Sequence, residues 1–239
     1  FPLLSGLVAQ DKMADFKDTL ALALRTIFFL MVPAAVGLIV LRVPMIKLLF
    51  EGQKFTSNDT MLTAYALLFY SLALFAHAAI MILPRAFYAL KDTKTPVIVS
   101  VISVTFSIVL NWTFLKYTQL GVGGFALSFS LMGLLNMILL MGILRRKVGG
   151  IRGGKILNSF LKTLIASGVM GLALWGTMVI LDSVFAKTNL HGHLEAAILV
   201  GGGMGIGVVV FFLTALALKM EELGAVLRRF RREKTKTTG

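Results

Sequence analysis

An all-α integral membrane protein with six transmembrane helices is the fold class this sequence predicts, and three observations carry the prediction. Six long apolar runs with short polar links make up most of the chain, at roughly 19–41, 61–83, 96–115, 122–144, 156–181 and 194–218. A helix needs about 20 mostly apolar residues to cross the hydrocarbon core at about 1.5 Å per residue, and each run reaches that length. Hydrophobic residues make up 57% of the chain and its mean hydropathy is +0.88, values extreme for a soluble domain. Closed barrels are the other way across a bilayer, but their strands alternate apolar and polar residues over about ten positions. The stretch from Ile27 to Leu41 does not alternate, so helices are expected.

The net charge of +13 would suggest nucleic acid in a soluble chain. Here the basic residues sort by side, and no nucleic-acid partner is expected. Lys12 and Lys17 precede the first run. Arg85, Lys91 and Lys94 follow the second, and Arg145, Arg146, Lys147, Arg152 and Lys155 follow the fourth. The tail adds Lys219, Arg228, Arg229, Arg231, Arg232, Lys234 and Lys236. The opposite links hold only Arg42, Lys47, Lys54, Lys116 and Lys187. Basic residues are retained on the cytoplasmic side, so both chain ends are expected there, in a bacterial inner membrane. Cysteine is absent, which excludes disulfides and thiolate metal sites. The opening Phe1–Gly6 has no basic n-region and reads like the end of an element. The chain is therefore expected to be the C-terminal portion of a longer one.

The elements follow in order. Residues 1–18 form a cytoplasmic lead-in. The first helix holds Pro33, which removes a donor and favours a kink. Residues 43–55 are amphipathic, with Lys47 and Glu51 four apart before Gly52, and predict an interfacial turn rather than a crossing. Asn58 and Asp59 are expected to cap the second helix. In the next link Tyr88 suits the headgroup zone, and Asp92, Thr93 and Thr95 supply turn and capping groups. Pro96 fits the first turn of the third helix. This motif of Arg85, Tyr88, Lys91, Asp92, Thr93, Lys94, Thr95 and Pro96 reads either as a well-made turn or as a cytoplasmic gate whose charges re-pair. A short link at Gln119–Gly121 makes the third and fourth helices an antiparallel hairpin. Gly123, Gly124, Ala126 and Ser128 then permit close helix approach, as do Ser167, Gly168 and Gly171 in the fifth helix. Gly201–Gly207 lies inside an apolar crossing, not after a strand. It predicts a packing face (Gly201/Gly205, Gly203/Gly207) rather than a phosphate loop. The units expected are thus a four-helix part over 19–147, two further helices over 148–220 and a basic, disordered cytoplasmic tail over 221–239 that meets anionic headgroups.

Ionisable or strongly polar groups at membrane depth are the natural functional candidates. Arg25 lines a cavity for an anionic head group or snorkels to the interface. His77 is a proton relay or a hydrogen-bonded packing residue. Asn111 and Asn136 lie on the third and fourth helices, and Ser107 shares a face with Asn111. Cation coordination and interhelical hydrogen bonding are both open for them. No paired carboxylates, HExxH or phosphate loop is present, so neither an enzyme nor a cofactor is expected. His191, His193 and Glu195 offer a weak metal set that nothing orients.

The stretches FPLLSGLVA, ALRTIFFLMVPAAVGLIVL, LLFEGQKF, RAFYALKDTKTPV and GVGGFALSFSLMGLLNMILL resemble the C-terminal part of the MurJ/MviN family of lipid II flippases. That family belongs to the multidrug/oligosaccharidyl-lipid/polysaccharide exporter superfamily. The resemblance covers Phe1 to about Lys147 with specific motifs. It implies helices nine to fourteen of a fourteen-helix transporter, a partial second lobe plus two extra C-terminal helices. It also implies flipping of undecaprenyl-pyrophosphate-linked precursor by alternating access, against an N-terminal lobe outside this sequence. Coupling to the membrane potential or to a sodium or proton gradient is implied too, with Ser107 and Asn111 at the equivalent of a sodium site that lacks its carboxylate. The faces 172–181 and 199–213 would contact the prenyl tail. Two rivals stay open: an exporter of another polyprenyl-linked glycan, and a non-transporting membrane scaffold module.

Overall fold

A computed structural model describes residues 2–52, 54–188 and 193–224. The described elements are helices: α1 (Pro2–Ala9), α2 (Met13–Phe50), α3 (Ser57–Ser71), α4 (Leu74–Ile80), α5 (Leu83–Ala89), α6 (Lys94–Tyr117), α7 (Val122–Lys147), α8 (Gly153–Thr188) and α9 (His193–Ala217). A helical turn at 221–224 follows α9. Five of these helices are long and apolar enough to cross a bilayer, and the bent α3–α5 unit makes a sixth if counted as one broken span. The basic tail from 225 and His191 lie outside the described residues.

Three expectations are corrected. The interfacial turn after Leu41 does not exist as a separate element, because α2 runs unbroken for 38 residues with Pro33 and Pro44 inside it. At about 1.5 Å per residue it is about 57 Å long and must project beyond the hydrocarbon core. Its last turns find partners that local periodicity does not reveal. Leu41 packs on Gly203 of α9, and Lys47 pairs with Glu195 of α9 at 3.4 Å. The second crossing, in turn, is not one rod. It bends by 52° where α3 gives way to α4. Ser71 Oγ bonds back to the Leu67 carbonyl there, a bond that competes with the helix ladder. The N-terminal cap is also displaced: a capping box joins Thr56 to Asp59, and Asn58 takes no part.

Packing divides into two cores that share α2. Phe28 points into the first, with Leu20, Leu24, Ala76, Ala79, Phe87 and Leu140. Its neighbour Phe29 points into the second, with Ala166, Met170, Leu174 and Phe211 of α8 and α9. Consecutive helices α7 and α8 pack on other partners, α7 on α6, α3 and α4, and α8 on α2 and α9. The chain therefore opens a cleft at their junction.

Small residues set the close approaches. A Cβ on Gly124 would lie 3.2 Å from Phe114 Cβ across the α6–α7 hairpin, and Gly121 turns that hairpin at φ +54. Of the two glycine pairs on α9, only Gly203 and Gly207 pack, against Leu41 and Leu174. Gly201 and Gly205 have open space where a Cβ would be.

Candidate functional site

The two basic residues inside the apolar runs converge on the end of α9. Arg25 donates from Nε to Glu222 at 2.6 Å and from Nη2 to Glu221 at 2.9 Å. Glu222 is buried and also accepts from Ser159 Oγ at 2.6 Å. Burial opposes ionisation of Glu222, but hydrogen bonds from Ser159, its own backbone and Arg25 outweigh it and hold the carboxyl below its ordinary value. Lys162 Nζ donates to the Leu218 carbonyl at 3.1 Å, a cation on the last carbonyls of a helix. Neither carboxylate was singled out in the sequence, because both sit outside the apolar run they serve.

Directly beyond this cluster an apolar groove of about 480 Å³ runs between α2, α8 and α9. Leu30, Pro33, Gly37 and Leu38 form one wall, Met170 and Leu174 a second, and Met204, Val208 and Phe211 the third. The Phe29 and Phe211 rings, 5.2 Å apart, stand at its Arg25 end. The Lys47–Glu195 pair fastens α2 to α9 at the opposite end. The groove is thus lined by apolar residues, and the ion pairs join the helices that flank it. Of the faces proposed for tail contact, Leu174, Met204 and Val208 line it, whereas Leu172 is 72% exposed and points elsewhere.

The other polar candidates lie on α4, α6 and α7. His77 on α4 stacks on Phe129 of α7 at 4.3 Å, and its ring lies where a Cβ on Gly133 would be. Among the described residues its Nε2 has no hydrogen-bond partner, nor do Oδ1 of Asn136 and Oδ1 of Asn111. Ser107 bonds to Ser128 across the α6–α7 hairpin, with the hydroxyls 3.1 Å apart and Ser128 Oγ donating to the Ser107 carbonyl at 2.9 Å. The structure therefore brings Ser107 to α7 and gives Asn111 no such bond. Glu195 is held by Lys47, and among the described residues no group of three His, Asp or Glu side chains gathers to hold a metal ion.

In the RAFYALKDTKTP motif, α5 ends with Lys91 at φ 58 and Asp92 N–H bonding the Phe87 carbonyl. Asp92 then starts α6, accepting from Thr95 N–H at 3.0 Å and Thr95 Oγ1 at 2.7 Å. Thr93 makes no capping bond of its own, and Pro96 is buried in the first turn. The charge partner of Asp92 is Lys147 at the end of α7. Arg85, Tyr88 and Lys94 are exposed, and no ion pair forms on Arg85 or Lys94 among the described residues. Lys147, then the Thr95 backbone and hydroxyl, hold the Asp92 carboxyl well below the usual carboxylate range. Its contribution to stability is present above its unfolded pKa of about 4 and is lost only as pH falls through the lower folded value. Asp92→Ala should cost about 1 kcal/mol through the lost cap, and Lys147→Ala less, since exposed pairs contribute about 0–1 kcal/mol. Unfolding midpoints at pH 7 check both, and the Asp92→Ala deficit should stay constant from pH 8 to pH 5.

Together these features describe a multi-pass, all-helical membrane protein with an apolar groove between three of its long helices. The chain belongs to the MurJ family: the family model described as "Lipid II flippase MurJ" matches residues 1–194. It is 32% identical to a probable lipid II flippase MurJ of Vibrio cholerae, over 94% of this chain and 42% of that protein. It is 29% identical to a probable lipid II flippase MurJ of Bdellovibrio bacteriovorus, over 95% of this chain and 42% of the relative. The solved structure titled "Lipid II flippase MurJ, inward closed conformation" superposes with a TM-score of 0.70 at 26% identity, covering 93% of this chain and 43% of that one. The chain therefore spans about 42% of the length of these curated relatives.

Proposed function

We propose that this chain forms the second-lobe helices and the two C-terminal helices of a protein that flips lipid II across the cytoplasmic membrane, working against an N-terminal lobe that this sequence does not contain. The observation that carries the reading is the groove between α2, α8 and α9, apolar along about 480 Å³ and long enough in its walls to receive part of a prenyl tail. Family membership over residues 1–194 supports lipid II as the cargo. The basic end of the bundle faces the cytoplasm on this reading. The flipping step draws on the membrane potential or an ion gradient, and on the α6–α7 hairpin the unpaired amide oxygens of Asn111 and Asn136 are available to meet a cation.

The test uses the complete reading frame in a strain depleted of its lipid II flippase. Gly37 lines the groove, and a Cβ there would meet nothing within 4 Å. Gly37→Phe should therefore leave the fold intact and block the groove. Loss of rescue, with lipid II no longer reaching an externally added lipid II-cleaving enzyme, is expected. Full rescue by Gly37→Phe at normal membrane levels would remove the groove from the mechanism, and failure of the unaltered frame to rescue would remove lipid II as cargo.

A further inference from the structure

A second cavity, of about 570 Å³, occupies the cleft between α7 and α8 and is separate from the tail groove. Its inner wall is an aromatic triad. Phe28 of α2, Phe75 of α4 and Phe160 of α8 pair at ring distances of 5.9, 5.3 and 5.3 Å. Met137, Met141 and Ile156 extend this apolar wall. Ile138 and Leu157, 60% and 58% exposed, form the lips on α7 and α8. Because α7 and α8 pack on other helices, the cleft opens sideways to lipid rather than into the bundle.

The mouth is chemically different. It holds Arg145 on the last turn of α7, and Arg152, Gly153 and Gly154 where α8 begins. Arg152 is held by Asp18 at 2.8 Å, but Arg145 has no ion pair among the described residues. Lys17 also reaches this corner, with Nζ 4.0 Å from where a Cβ on Gly149 would sit. Among the described residues Asp18 is the one carboxylate that the ion pairs place here, and Arg152 already neutralises it. A fixed positive mouth over an aromatic, laterally open pocket matches an amphiphile with an anionic phosphate head and an acyl chain. We propose that the α7–α8 cleft binds one anionic phospholipid from the leaflet at the basic end of the bundle, with Arg145 on its phosphate and its chain against Phe28, Phe75 and Phe160.

Gly142 lines the cleft with open space where a Cβ would be, so a large side chain there fills the cavity without displacing a neighbour. The measurement is native mass spectrometry on the complete reading frame, delipidated and titrated with phosphatidylglycerol, phosphatidylethanolamine or inorganic phosphate. One tightly held phosphatidylglycerol is expected. Arg145→Ala should weaken it about tenfold, as one charge-assisted hydrogen bond implies, and Gly142→Phe should abolish it. Gly37→Phe, in the other groove, should leave it unchanged. Equal affinity for phosphatidylethanolamine, or indifference to Arg145→Ala, would overturn the proposal. So would loss of the lipid in Gly37→Phe but not in Gly142→Phe, since the lipid would then sit in the tail groove. Displacement of the lipid by inorganic phosphate would also overturn it, because the site would then be for the head group alone.

Discussion

Arg25→Met is expected to lower the stability of the membrane-embedded protein by about 3–5 kcal/mol, because it leaves Glu222 buried with its charge unmatched. Glu222 is 2% exposed, and among the described residues Arg25 supplies one of the two side-chain donors that reach it. Arg25→Met/Glu222→Met removes the charge as well as its partner. It should regain most of the loss, which a double-mutant cycle on unfolding midpoints reads directly. The pH dependence separates this account from a packing defect. In the native protein the Glu222 carboxyl lies below its ordinary value, so its stabilisation is present above about pH 4 and fades as pH falls through the folded value. Without Arg25 one of the pulls that lowers this carboxyl is gone while burial still opposes its ionisation, so it moves up from its native position. Acid then protonates Glu222 in the variant and relieves it. The gap between Arg25→Met and native protein should be widest near pH 7 and narrow towards pH 4. A gap that ignores pH would show that Arg25 acts through its aliphatic stem alone.

That cluster also shows where the sequence stopped being readable. Apolar run length marks crossings because a bilayer imposes about 20 residues on any helix, and all six runs reappear as helical segments. What run length cannot encode is continuity. The segment after Leu41 is polar enough to suggest an interface, yet Leu41 and Lys47 have partners on α9, some 150 residues away, that extend α2 through it. The second run differs in another way: it is apolar enough to read as one crossing, and its 52° bend follows from the Ser71 side chain and from small alanines that let α4 sit against α2 and α7. Within the candidate site, Arg25 and Asp92 stood out by depth and by turn chemistry. Their partners Glu222 and Lys147 did not, since a carboxylate or lysine near a helix end looks like any solvated charge. Of two identical glycine spacings on α9 the sequence cannot say which faces inward; Leu41 and Leu174 decide it.

Gly133 offers the sharpest test of how the first core is built, because the same substitution should have opposite signs at two positions. A Cβ at Gly133 would come within 2.7 Å of His77 Cε1. The ring cannot retreat freely, since its other side stacks on Phe129 at 4.3 Å with the planes 11° apart. Helix propensity favours Ala over Gly by about 0.8–1 kcal/mol, whereas forcing a methyl into a packed contact costs about 1–3 kcal/mol. Gly133→Ala should therefore be destabilising by up to about 2 kcal/mol, and Gly133→Val by more, since β-branching removes most of the compensating propensity. At Gly168, where a Cβ would meet nothing within 4 Å, the clash is absent and Gly168→Ala should stabilise by about 0.5–1 kcal/mol. His77→Ala combined with Gly133→Ala removes the clashing ring, so the pair should be more stable than the sum of the single variants by about 1 kcal/mol or more. If the two alanine substitutions shift the unfolding midpoint in the same direction, His77 is not wedged between Phe129 and Gly133, and its ring has room to move within the first core.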